Sequence, residues 1–218
     1  PADRKTSREA SKANFDAVWQ YVKPAIFGSN KAVRLYYRAN CRVTKDYFGQ
    51  EPVPFPFVKV QPPSKGKTSL TAIREIFKND KNVTVREDSV GIIRIWIGKV
   101  PTAILQTKLT VLTLDPKDQY NPDDASGAIL QTKEMQAAMG SLRFRTPAKV
   151  AGAVAEPMKG LPHLPASIRN VTMEQALDKI AKTWAGEGAI IYGVCGEPTE
   201  QNGDTLFSLD YMGDILPK

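Results

Sequence analysis

Histidine and cysteine are scarce in this 218-residue chain, which has one histidine, His163, and two cysteines, Cys41 and Cys195. No C-x-x-C or H-E-x-x-H spacing occurs, so the common structural and catalytic zinc frames are missing. His163 stands between prolines in GLPHLP, with no spacing that would pair it with Cys195 or a serine as nucleophile and base, and it reads as a surface or packing residue. The two cysteines lie in opposite halves of the chain. They suit either buried thiols of a cytosolic protein or, in an oxidising compartment, a bridge tying the halves together. Long apolar runs are also lacking: none approaches the roughly 18 residues that a bilayer crossing needs. The opening PADRKTSREASKA carries no apolar core of the signal-peptide kind, although such a segment is removed from mature proteins and its lack assigns no compartment. The one phosphate-loop echo, SKGKTS, fails as a Walker A loop. Gln61 stands where the first glycine is required, and Pro62 and Pro63 remove two N–H groups that a phosphate cradle would use. The acidic stretches NPDD and EPTEQNGD lack the ligand alternation and closing glutamate of a calcium loop and read as turns.

What remains is an ordinary globular composition, 42% hydrophobic and 24% charged, with the net charge of +7 unevenly placed. Residues 1–115 carry +10 and residues 116–218 carry −3. A basic half can meet nucleic acid, another acidic polymer or an acidic protein surface, or it can simply be a solvated face.

Periodicity predicts most elements. A first helix begins after Ser7 as its cap, buries Phe15, Val18, Trp19 and Val22, and stops at Pro24. KAVRLYYRANCRV reads as a strand with Val33, Leu35 and Tyr37 on one side and Arg34, Tyr36 and Arg38 on the other. EPVPFPFVKV should run extended past its prolines, then form a short edge strand at 57–60. A helix from Thr68 with Leu70, Ile73, Ile76 and Phe77 inside precedes strands NVTVRE and SVGIIRIWIG, which turn near Asp88 and Ser89. In the second of these, Val90, Ile92, Arg94 and Trp96 share one face while Ile93, Ile95 and Ile97 share the other. Further on, SIRNVT, the helix with Met173, Ala176, Leu177 and Ile180 inside, AIIYGVC and TLFSLDY repeat the order strand, helix, strand, strand. The hexamer AILQTK occurs twice but is no repeat. The first copy opens a brief helix after Pro101 and leads into an extended LTVLTL, whereas the second lies within a helix capped by Asn121, begun by Pro122 and stopped by Gly140.

The expected fold class is therefore α+β: two small helix-on-sheet modules of strand-helix-strand-strand order, joined by a helical and Pro/Gly-rich middle segment. The corresponding division is 1–116, 117–166 and 167–218, with RTPAKVAGAVAEPMKGLPHLPAS as the linker.

VTMEQALDKIAKTWAGEGAIIY, with its strand leading into an L-x-x-A-L-x-x-L-like helix and a following strand, resembles the short N-terminal domains of bacterial secretins and TonB-dependent receptors. TSLTAIREIFKNDKNVTV is a second, weaker match, with Arg74 where that group prefers an aliphatic residue. The resemblance implies a periplasmic or cell-envelope α+β protein that binds or scaffolds an envelope partner or itself, without catalysis, cofactor or metal. Arg34, Tyr36, Arg38, Phe57 and Lys59 are the candidate interaction surface, with the proline-marked edge accepting a partner strand. Two other readings stand beside it. The Arg-Tyr alternation of Arg34, Tyr36 and Arg38 suits single-stranded nucleic acid or another anionic polymer, and an unrecognised envelope enzyme is the third.

Overall fold

The computed structural model describes residues 2–39, 53–146, 161–195 and 205–213. In chain order its elements are helix α1 (Ala2–Ile26), strand β1 (Ala32–Ala39), helix α2 (Ser69–Ile76), strands β2 (Val83–Glu87) and β3 (Ile92–Ile97), a 3-10 turn at Ala103–Gln106 and strand β4 (Lys108–Thr113). Helices α3 (Pro116–Gln119), α4 (Pro122–Leu130) and α5 (Lys133–Leu142) follow. The chain continues through β5 (Phe144–Arg145), β6 (Ser167–Thr172), α6 (Met173–Thr183), β7 (Gly188–Cys195) and β8 (Thr205–Gly213).

The expectation of two separate modules is overturned. Six strands form one mixed sheet in the order β2-β3-β1-β7-β8-β5, and β4 with β6 forms a separate two-stranded ribbon. Strand β1 is the hub, parallel to β3 on one side and to β7 on the other, with Leu35 aligned to both Ile95 and Ile191. The strands assigned to two modules thus share one sheet, and β6 leaves its expected partners to pair antiparallel with β4. The physical reason lies in β1. Alternation suggests a half-exposed strand, yet seven of its eight residues are buried. A strand buried on both faces belongs in a sheet's interior, where parallel neighbours arrive by crossover connections from distant sequence.

The pleat sorts the core into two layers. Val33, Leu35 and Tyr37 of β1, Ile93, Ile95 and Ile97 of β3, and Ala189 and Ile191 of β7 pack with Val18, Val22 and Ile26 of α1 and Ile73 and Ile76 of α2. The alternate residues Tyr36, Ile92, Ile190, Tyr192 and Val194 face the other way. There they meet Leu109 and Leu112 of β4, Ile129 of α4, Met135 of α5 and Met173, Leu177 and Ile180 of α6. Helix α6 is the best-formed local unit. Thr172 and Gln175 close a capping box at its start, and Met173, Ala176, Leu177, Ile180 and Ala181 make its buried stripe.

Local expectations fail where tertiary contacts outweigh them. Helix α1 contains Pro24 and, with Ser7 inside rather than at its start, runs to Ile26. No strand forms at 57–60, because backbone groups within and flanking it bond to side chains and a helix end instead of a ladder: Phe55 N–H donates to Ser11 Oγ (2.8 Å), Lys59 N–H to Asp80 Oδ2 (2.9 Å) and Gln61 N–H to the Ile76 carbonyl (3.1 Å). The second AILQTK does not continue one helix. Thr132 accepts the Met135 N–H at 3.3 Å and starts α5 afresh, which then passes through Gly140 and ends at Arg143 in a left-handed conformation, φ 56°.

Cys195 closes β7 and is disulfide-bonded; the other cysteine of the sequence, Cys41, lies outside the described residues, as do 147–160 of the expected linker and the EPTEQNGD turn. Among the described residues no helix is long and apolar enough to cross a membrane.

Candidate functional site

The charged residues that the fold gathers lie between the sheet and α6. Arg34 of β1 and Arg94 of β3 are aligned neighbours in the parallel register. Above them, Glu174 and Asp178 sit four residues apart, one turn along α6, so both carboxyl groups reach the same side. Asp178 bridges the two guanidinium groups, one oxygen each: Arg34 Nη1 at 2.7 Å and Arg94 Nη2 at 2.8 Å. Glu174 Oε1 accepts from Arg94 Nη1 (2.5 Å), Arg34 Nη1 (3.0 Å) and the Tyr36 hydroxyl (2.7 Å). Arg94 also donates to the Tyr36 hydroxyl and, through Nε, to Asp88 Oδ2 at 2.7 Å.

Arg34 is only 1% exposed, and its Nε and Nη2 have no hydrogen-bond partner among the described residues. Its guanidinium carbon lies 4.7 Å from the Tyr36 ring centroid, a cation–π contact that offsets part of the cost of burying the charge. Burial pushes the Tyr36 hydroxyl well above the usual phenol range, with Glu174 pushing the same way against the pull of both arginines. Burial likewise raises Tyr192. Burial opposes the charge on Arg94, but Tyr36 and the Asp178 and Glu174 carboxylates outweigh it and raise its pKa. Asp88 is held below the ordinary carboxylate value: burial would raise it, and the Ile92 N–H, Arg94 and Val90 N–H overcome that. The carboxylates are engaged by guanidinium groups and the phenol keeps its proton, so this arrangement clamps α6 to the sheet. Among the described residues no three His, Cys, Asp or Glu side chains are grouped to hold a metal ion.

The clamp opens outward onto the edge of the sheet. Tyr36 stacks on Trp96 with centroids 3.9 Å apart and planes 5° from parallel. Trp96 in turn lines a surface cavity of about 360 Å³ with Thr84, Arg86, Gly98, Lys99 and Val100. The Arg86 and Lys99 side chains are exposed and form no ion pair or hydrogen bond among the described residues. No carboxylate lines the cavity.

Beside it runs the free edge of β2, the first strand of the sheet. The Asn82 carbonyl accepts the Gly98 N–H at 2.9 Å and Asp88 N–H donates to the Ile92 carbonyl at 3.0 Å, so even-numbered residues bond to β3. The N–H groups of Val83, Val85 and Glu87 therefore point away from the sheet. Val83 N–H is used by Asp80 (3.2 Å) and the Val85 carbonyl accepts from Arg74 Nε (3.4 Å), which leaves the Val85 and Glu87 N–H groups without an acceptor among the described residues. The known proteins give no guide here. No protein family, curated protein or solved structure matches this chain.

The predicted surface residues part company in the fold. Arg34 and Tyr36 are interior, Arg38 is half-buried beside Gly98, and Phe57 (72% exposed) and Lys59 lie in the segment that packs, through Val53, Phe55 and Val58, on the α1–α2 side of the sheet. They do not make one surface. Arg94, Trp96, Glu174 and Asp178 were the residues to connect. Their signals were an arginine set into the aliphatic run IIRIWI, and two acids at i and i+4 on the side of α6 that also buries Leu177.

Proposed function

We infer that this chain is a non-catalytic binding protein of an oxidising, envelope-type compartment that captures an extended segment of a partner protein along β2. One observation carries the reading: β2 presents Val85 and Glu87 N–H groups that are unpaired among the described residues, beside a cavity floored by Trp96. An extended peptide adding to such an edge satisfies these donors and sets alternate side chains into the cavity. The disulfide at Cys195 supports the compartment, since structural disulfides persist where thiols are not kept reduced. The secretin-like phrase over α6 and β7 supports a role in holding an envelope partner.

Random heptapeptides displayed on phage and selected on the full chain test the docking edge. Selected peptides, added as free blocked peptides, should slow amide exchange at Val85 and Glu87 and should stop binding when N-methylated on alternate residues. Binding that leaves both amides exchanging as before would refute strand addition at β2.

A further inference from the structure

We propose that the segment captured at β2 is acidic and patterned, with a carboxylate, a large apolar or aromatic side chain and a second carboxylate at alternate positions. This rests on the reading of β2 as a docking edge and adds the chemistry of its partner. A strand added to β2 lies about 4.8 Å from it and turns every second side chain, about 6.6 Å apart, toward the cavity. Three features of the cavity meet those side chains in order. At one end is Arg86. In the middle Thr84 lies directly across from Trp96 in the antiparallel register, and its small side chain leaves the indole reachable from beyond the edge. At the other end is Lys99, next to Gly98, whose N–H is bonded to the Asn82 carbonyl.

Charge decides what belongs at the two ends. The Arg86 and Lys99 side chains have no partner among the described residues, and the two acids that follow Arg86 are already held, Glu87 by Lys31 at 2.5 Å and Asp88 by Arg94 at 2.7 Å. A carboxylate beside Arg86 gains charge-assisted hydrogen bonds without displacing any other pair. A second copy of the chain fits poorly, because antiparallel pairing of two β2 edges would crowd both copies' Arg86 and Lys99 into one strip. A nucleic acid would meet the cations but has no regular row of carbonyls for the Val85 and Glu87 N–H groups.

The same peptide selection, run at about 150 mM salt where distant surface charges are screened, tests the pattern. Selected peptides should carry Asp or Glu two positions before and two positions after an aromatic or large aliphatic residue, as in TEVFVET. The double variant R86E/K99E changes exposed side chains only and should keep the native circular dichroism. It should weaken TEVFVET by roughly 100-fold, about tenfold for each charge, and bind the reversed peptide TKVFVKT more tightly than the parent does. Peptides that protect the Val85 and Glu87 amides but show no acid at these positions, or affinity unchanged in the double variant, would overturn this inference and leave the docking edge standing. Peptides that leave both amides unprotected, a β2-paired dimer of the chain, or displacement of TEVFVET by oligo(dT) at equal affinity would overturn both.

Discussion

Replacing Asp178 with asparagine tests the clamp most directly. The substitution keeps the shape and removes one charge from a group that holds two guanidiniums at 2.7 and 2.8 Å. Arg34, 1% exposed, would keep one carboxylate oxygen, Glu174 Oε1 at 3.0 Å, which Arg94 and Tyr36 already share, beside the Glu174 backbone carbonyl at 3.1 Å. The new amide N–H₂ would face a guanidinium that can only donate. Breaking a buried pair by removing one partner costs about 3–5 kcal/mol, because the remaining charge stays desolvated. Since 15% of the Asp178 side chain still reaches water, the lower end applies, about 3 kcal/mol, a large share of the total stability of about 5–15 kcal/mol usual for a domain. Urea unfolding should show a lower midpoint at unchanged slope, and the melting temperature should fall by about 6–12 °C. The double variant R34M/D178L removes both charges and leaves Arg94 with Asp88 and Glu174. It should recover about 2 kcal/mol or more relative to the sum of the single losses. A loss under about 1 kcal/mol in D178N, measured against the 3 kcal/mol expected, or simple additivity in the double variant, would refute the clamp.

Tyr36 is raised above its ordinary value of 10.0 by burial, so the folded state holds the phenol proton more tightly than the unfolded state does. Its contribution is complete below pH about 10 and is lost as pH rises further; the alkaline stability slope should be shallower in Y36F, and an equal slope would contradict the assignment. Asp88 has the opposite sign: its lowered pKa stabilises the fold above the ordinary carboxylate value and is lost as pH falls through the folded value, so D88N should flatten the acid limb of a stability–pH curve. A Cβ on Gly193 would lie 2.3 Å from Tyr37 Cζ, so G193A should destabilise by about 1–3 kcal/mol, with partial rescue by Y37A in a double-mutant cycle. Cys195 should resist alkylation unless reductant is added first, and reduction should lower stability by about 2–4 kcal/mol; prompt labelling of the untreated protein would count against the disulfide.

Sequence alone determined those elements whose cause is local. The capped helix α6 with its Met173, Leu177 and Ile180 stripe, the β2–β3 hairpin turning at Asp88, and the strand character of β1, β7 and β8 all follow from side-chain period, capping groups and turn residues within a few positions. Pairing is not local: β1 and β7 lie more than a hundred residues apart, and a period of two says which residues share a face without saying which strand lies alongside. Only the tertiary structure decided that β1 sits between β3 and β7, and that choice buried Arg34 and Tyr36, which alternation alone presents as a surface. The segment after Pro56 shows the same limit from the other side, since its apolar alternation promised a strand until Asp80 and the end of α2 took its backbone hydrogen bonds. The clamp joining Arg34, Arg94, Glu174 and Asp178 spans three elements. Each member looks ordinary in its own neighbourhood, because the low-dielectric interior that makes their charges matter exists only once the sheet and α6 have closed over them.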